Sequence, residues 1–149
     1  MTIGEVVDPF MLPVAFGFAV VCVLWLFVHV ARRYPAAPKR VPAGLRYDGR
    51  PGRLGPKALL WLAPVIIAIV LGLTGGGLLA APPRTDQRLL LTLVMLTIAE
   101  VTWFAGWTID RQIELARKMT YRVAPSRLFR ALLPLLATVV AIVFVAARP

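Results

Sequence analysis

Glu100 is the residue whose type and setting point most directly to chemistry. It is the only charged side chain in the apolar run 89–109 and lies nine residues before Ile109. In a helix rising about 1.5 Å per residue, that is roughly 13–14 Å from the end of the run, near the middle of a membrane-sized apolar layer. A carboxyl at that depth costs several kcal/mol unless it is paired, wetted or protonated, which makes such a residue a functional candidate. With no cation at that level, the neutral acid is the expected form. The same depth on the other apolar runs falls at Cys22, at Ile67 or Ala68, and at Thr138. Thr138 is the only strong hydrogen-bonding side chain in that layer, and Thr97, one turn before Glu100, extends the polar stripe on its own helix. Such a constellation either joins helices or serves as a proton- or cation-coupled site, and the sequence leaves both open.

Little else in the chain is arranged for reaction. His29 sits two residues from the end of the first apolar run, with no second histidine and no acid near it in the sequence, so no metal site is expected. Cys22 is the single cysteine, which leaves no intrachain disulfide or cysteine cluster. No serine, histidine and carboxylate arrangement, phosphate-cradling glycine loop or pair of acids occurs. An enzyme is not expected, nor is a cofactor.

The elements that must position Glu100 follow from composition. The chain is 59% apolar and only 16% charged, yet carries a net charge of +10. A basic soluble chain would point to nucleic acid, but apart from Glu100 the charges avoid the apolar runs 9–31, 58–83, 89–109 and 131–147. Each approaches the roughly 20 residues needed to cross about 30 Å of hydrocarbon, the fourth once 128–130 are added. The expected fold is an all-α integral membrane protein, a single domain over 1–149. It forms a four-helix transmembrane bundle with spans at about 9–31, 58–81, 89–109 and 128–147. The lipid bilayer is then the first partner, and no nucleic-acid partner is expected. Glu5 and Asp8 before the first run and Arg32 and Arg33 after it mark a retained span rather than a cleaved signal.

Orientation follows from the connections. The first carries Arg32, Arg33, Lys39, Arg40, Arg46, Arg50, Arg53 and Lys57, and the third carries Arg111, Arg117, Lys118, Arg122 and Arg127. The second has only Arg84 and Arg88. Basic residues near short loops are retained on the cytoplasmic side, which places the first and third connections inside and both termini outside. Trp61, Trp103, Trp107, Tyr34, Tyr47 and Tyr121 cluster toward the same side. These basic loops could touch anionic lipid headgroups or an acidic protein, beyond setting the topology.

The two inner connections differ in kind. Residues 32–57 hold Pro35, Pro38, Pro42, Pro51 and Pro56 with Gly44, Gly49, Gly52 and Gly55, a density that excludes a helix and predicts an extended loop of turns. The stretch 109–123 has neither Gly nor Pro, and places Ile109, Ile113, Ala116 and Val123 near one face. It also sets Glu114 four residues before Lys118, a favourable helical pair. The third helix should therefore continue as an amphipathic cytoplasmic extension along the membrane surface until Pro125 stops it. Pro64 and Pro134 fall inside apolar runs about 70 residues apart and predict kinks, a weak echo between the second and fourth helices. Gly72 and Gly76 form a small-xxx-small spacing suited to close helix packing or to a homo-oligomer.

Tyr34-Pro35, Pro38, Val41-Pro42, Gly49, Pro51, Gly55, Lys57 and Pro64 resemble, without gaps, a known pattern: tyrosine-proline, proline, isoleucine-proline, glycine, proline, glycine, lysine and helix proline. It marks the membrane domain of unknown function at the N-terminus of SdpI-type bacteriocin immunity proteins. The match runs from about Trp25 to Leu71. The resemblance implies a non-enzymatic, multi-pass protein of the bacterial plasma membrane, and in the best-known member type it implies protection against a secreted toxic peptide with membrane sequestration of a repressor. Where that family carries a histidine and an aspartate in this loop, the chain has Gly44 and Gly52. A cysteine placed at Arg46, with Cys22 replaced, should react with a membrane-impermeant maleimide only after cells are opened; labelling of intact cells would reverse the orientation.

Overall fold

The computed structural model describes residues 10–48, 50–81, 83–118 and 123–147. Pro9, Gly49, Tyr121 and Arg122, each part of a reading above, lie outside them. Four helices form: α1 (Met11–Arg33), α2 (Leu62–Ala80), α3 (Thr85–Arg117) and α4 (Pro125–Ala146). All four are long and apolar enough to cross a membrane.

The longest, α3, is the central element. Ala15, Ala19, Val23, Leu26 and Val30 are the buried residues of α1, spaced three and four apart along one stripe. They share a core with Met95, Ile98, Ile109 and Ile113 of α3. The approach is close at Gly106, where a Cβ would come within 2.9 Å of the Trp25 ring. On α2, Pro64, Ile67, Leu71 and Gly75 are buried, and α2 packs on both α1 and α3. Gly75, not Gly72 or Gly76, makes the close helix contact within the chain: a Cβ there would stand 2.7 Å from Phe16, whereas Gly72 and Gly76 face open space.

The expected bundle is thus a compact trio with a fourth helix appended. Among the helices, α4 packs substantially only on α3, and only 6% of its apolar window is buried. Val139, Val140, Val143 and Phe144 are exposed. A helix that is apolar all round has little to gain from burial against protein when its surroundings are equally apolar.

Pro64 and Pro134 prove unequal. Pro64 is the third residue of α2, in the first turn, where its missing N–H leaves no ladder bond unmade. No kink is required there. Pro134 does lie inside its helix.

The loop of turns is more ordered than its prolines and glycines imply. Arg40–Pro42 (β1) pairs antiparallel with Leu54–Pro56 (β2), Val41 facing Gly55, and an isolated bridge joins Leu45 to Pro51. The prolines are tolerated because Pro42 and Pro56 terminate three-residue strands, where a missing donor costs little. A 3-10 turn, Lys57–Trp61, leads into α2.

The extension of α3 also differs from expectation. It is helical only to Arg117, and Pro125 does not stop it; Pro125 starts α4 instead, where a fixed φ suits the first helical turn. Its apolar face is covered by protein. Ile109 and Ile113 bury against Val41 and Ala37, because β1 lies across this part of α3. Val123 is buried but lies outside the helix, so it does not share a helical face with Ile109 and Ile113. Glu114 pairs with Arg111, three residues earlier, rather than with Lys118.

The ribbon has one position that requires glycine. The Gly52 N–H donates to the Gly44 carbonyl at 2.8 Å, and a Cβ on Gly52 would sit 2.8 Å from that oxygen, whereas one on Gly44 meets nothing. Gly52→Ala should therefore open the ribbon and speed tryptic cleavage at Arg46 and Arg53 severalfold, while Gly44→Ala leaves the digestion unchanged. Equal digestion of both variants would contradict the pairing.

Candidate functional site

Polar side chains in apolar helices are usually satisfied by their own backbone. Thr74, Thr92, Thr97, Thr102 and Thr108 each donate to the carbonyl four residues earlier, at 2.6–2.9 Å. Thr138 behaves differently. Its hydroxyl donates across the α3–α4 seam to Glu100 Oε1 at 2.8 Å, with a weaker 3.2 Å approach to the Pro134 carbonyl. Among the described residues, this is the only side-chain hydrogen bond between α3 and α4.

The structure thus joins Glu100 to Thr138 and separates Thr97 from both, since the Thr97 hydroxyl is engaged by Leu93. Glu100 Oε2 is buried and has no hydrogen-bond partner. Beside it lies a pocket of about 200 Å³ lined by Glu100, Trp103, Ala131, Pro134 and Leu135. One carboxyl oxygen is therefore held and the other is enclosed without a partner, in a residue that also borders an apolar hollow. Chemically, the arrangement offers one positioned oxygen that could exchange a proton or coordinate a small cation.

The loop residues that carry the family resemblance are also drawn together. Pro35 has no N–H, so the ladder of α1 ends with the Tyr34 N–H bonded to Val30 O at 2.8 Å. The Lys57 ammonium stands 4.4 Å from the Tyr34 ring centroid, a cation–π contact. Trp61 adjoins this group, its ring centroid 5.9 Å from that of Tyr34 and 6.1 Å from that of Phe27. Pro42 is buried in β1, and Gly55 pairs with Val41 beside the movable end of the Leu59 side chain. Pro51 closes the bridge to Leu45, while Pro35 and Pro38 are exposed and half-buried in the turn after α1.

A second polar cluster was not legible in the sequence. His29 Nε2 is 3.1 Å from Asp110 Oδ1, and Arg33 Nε reaches the same oxygen at 3.2 Å. His29 also stacks on Trp25, with centroids 5.0 Å apart. His29 therefore does have an acid beside it, 81 residues away along the chain. The available signal was topological: both residues lie near the same ends of two helices that must run parallel. No protein-family model, curated protein or solved structure matches the chain.

The Glu100–Thr138 bond is open to direct measurement. Thr138→Val should weaken α4 docking by about 0.6–2 kcal/mol in detergent or bicelle unfolding, the range for hydrogen bonds between apolar helices. Glu100→Gln, which keeps an acceptor oxygen, should cost less. Additive effects of Thr138→Val and Glu100→Leu would show that the two side chains do not interact.

Proposed function

We propose that the chain is a four-span, non-enzymatic protein of the bacterial plasma membrane that acts as an immunity or regulatory protein of the SdpI type. The folded segment from Tyr34 to Lys57 is its working part. The observation that carries this reading is the convergence of residues spread through the loop part of the pattern: Tyr34 and Lys57, at its two ends, meet in a cation–π contact, and Pro42 and Gly55 occupy the paired strands between them. Residues quoted for a resemblance need not meet in space, yet Tyr34 meets Lys57 and Val41 pairs with Gly55.

The membrane part of the reading rests on the four long apolar helices and on the exposed apolar side chains around them, such as Val14, Leu73 and Val140. Basic residues concentrated in the first and third connections put the ribbon on the cytoplasmic side and both termini outside. A partner of the ribbon is then a cytoplasmic component. Gly44 and Gly52 stand where the family's histidine and aspartate would be, and they meet through their backbones. The segment accordingly works here as a shaped surface rather than by acid–base chemistry.

The orphaned Glu100 Oε2 and the hollow beside it favour a second reading, a small proton- or cation-coupled transporter subunit centred on Glu100. Both polar atoms belong to the seam of a loosely held helix, where small movements of α4 would change access.

One experiment separates the two. A strain deleted for the gene should be killed in co-culture with its parent, and be rescued by the wild-type chain and by Glu100→Gln but not by Tyr34→Ala with Lys57→Ala. Survival of the deleted strain overturns the immunity reading. Rescue that depends on Glu100 and not on Tyr34 and Lys57 replaces it with the transporter.

A further inference from the structure

The ends of α1 and α3 enclose a pocket of about 340 Å³ lined by Arg33, Asp110, Arg111, Glu114, Arg117 and Lys118. Its charges are unevenly matched. Asp110 is shared by Arg33 and His29, and Glu114 is held by Arg111. Arg117 spends one N–H on a neutral acceptor, the Ala36 carbonyl, at 2.8 Å. Lys118 makes no ion pair among the described residues. Two full positive charges are thus left over. The C-terminal ends of α1 and α3 supply about half a negative charge each, too little to cancel them. A further donor, Arg111 Nε, is buried and faces no acceptor.

We propose that this pocket binds the phosphate of an anion, supplied by an anionic lipid headgroup or by free phosphate. A guanidinium and an ammonium that line one pocket match a tetrahedral oxyanion, with the guanidinium giving directed donors and the ammonium a compact charge. The site is distinct from the basic ribbon, whose Arg46 and Arg53 are exposed on its surface. It lies instead at the rim of the apolar helices, where basic pockets between membrane helices take lipid headgroups. The lipid source rests on the membrane reading given above; the phosphate chemistry does not.

The test uses the full chain purified in a neutral detergent, with its melting temperature followed as phosphatidylglycerol, phosphatidylcholine or inorganic phosphate is added at constant ionic strength. Phosphatidylglycerol should stabilise the chain and phosphatidylcholine should not. Each charge removed should weaken the apparent affinity roughly fivefold, so Arg117→Gln with Lys118→Gln should lose on the order of 30-fold, while Arg46→Gln with Arg53→Gln leaves it unchanged. Should the Arg117 variant fail to fold without its bond to Ala36, Lys118→Gln alone should still show the fivefold loss. Equal stabilisation by inorganic phosphate, lost in the same variants, identifies free phosphate as the ligand. Absence of stabilisation by either anion, or equal losses in the two double variants, overturns the site. Retention of the chain in phosphatidylcholine vesicles after alkaline extraction reports membrane insertion separately, so failure of that reading is distinguishable from failure of the pocket.

Discussion

The packing of α1 against α3 is the contact on which the remaining structure depends. It uses the buried stripe from Ala15 to Val30 on one helix and Met95, Ile98, Ile109 and Ile113 on the other, and Gly106 admits the Trp25 ring between them. Because the two helices run parallel, the chain between them must return through α2, which docks on both. The same pairing brings the end of α1 beside the end of α3. There Arg117 reaches the Ala36 carbonyl and Asp110 gathers His29 and Arg33. The ribbon, laid across α3 through Val41, completes that end of the molecule.

The two acids of α3 at Glu100 and Asp110 serve different neighbours. Ten residues separate them, about 15 Å along the axis and roughly 80° apart in rotation. Asp110 faces α1 and meets Arg33 and the His29 ring, whereas Glu100 faces α4 and meets one hydroxyl. They form no continuous polar file through the helices. Each answers the cost of a carboxyl in apolar surroundings in its own way. One is paired at the helix end; the other is half-bonded in a seam with a hollow beside it.

Backbone satisfaction explains why the proline-rich segment folds at all. Apolar helices carry their own hydrogen bonds, but a loop lying on them must pair its groups or expose them to water. Described residues of this segment do so: Ala43 N–H donates to Arg53 O, Arg46 to Arg50, Gly52 to Gly44 and Lys57 to Lys39. The prolines fall where no donor is needed, and Gly52 permits the close crossing that a Cβ would block.

Much of this was legible before any coordinates. Helix number, their approximate bounds, the candidate partnership of Glu100 with Thr138 and the clustering of charge in two connections all follow from local composition and from depth along a helix of fixed rise. Those are properties a segment has by itself. The ribbon, the early end of α3, the Arg111–Glu114 pair and the gathering of His29 with Asp110 were not legible. Proline and glycine content rules out a helix without saying which residues will pair, and no spacing rule connects positions 29 and 110. Such contacts exist only once α1 and α3 lie side by side. The sequence by itself therefore determined which segments are helices and at what level each polar group sits. The tertiary structure decided which polar groups meet, because that depends on how the helices are rotated and paired, and packing alone sets both.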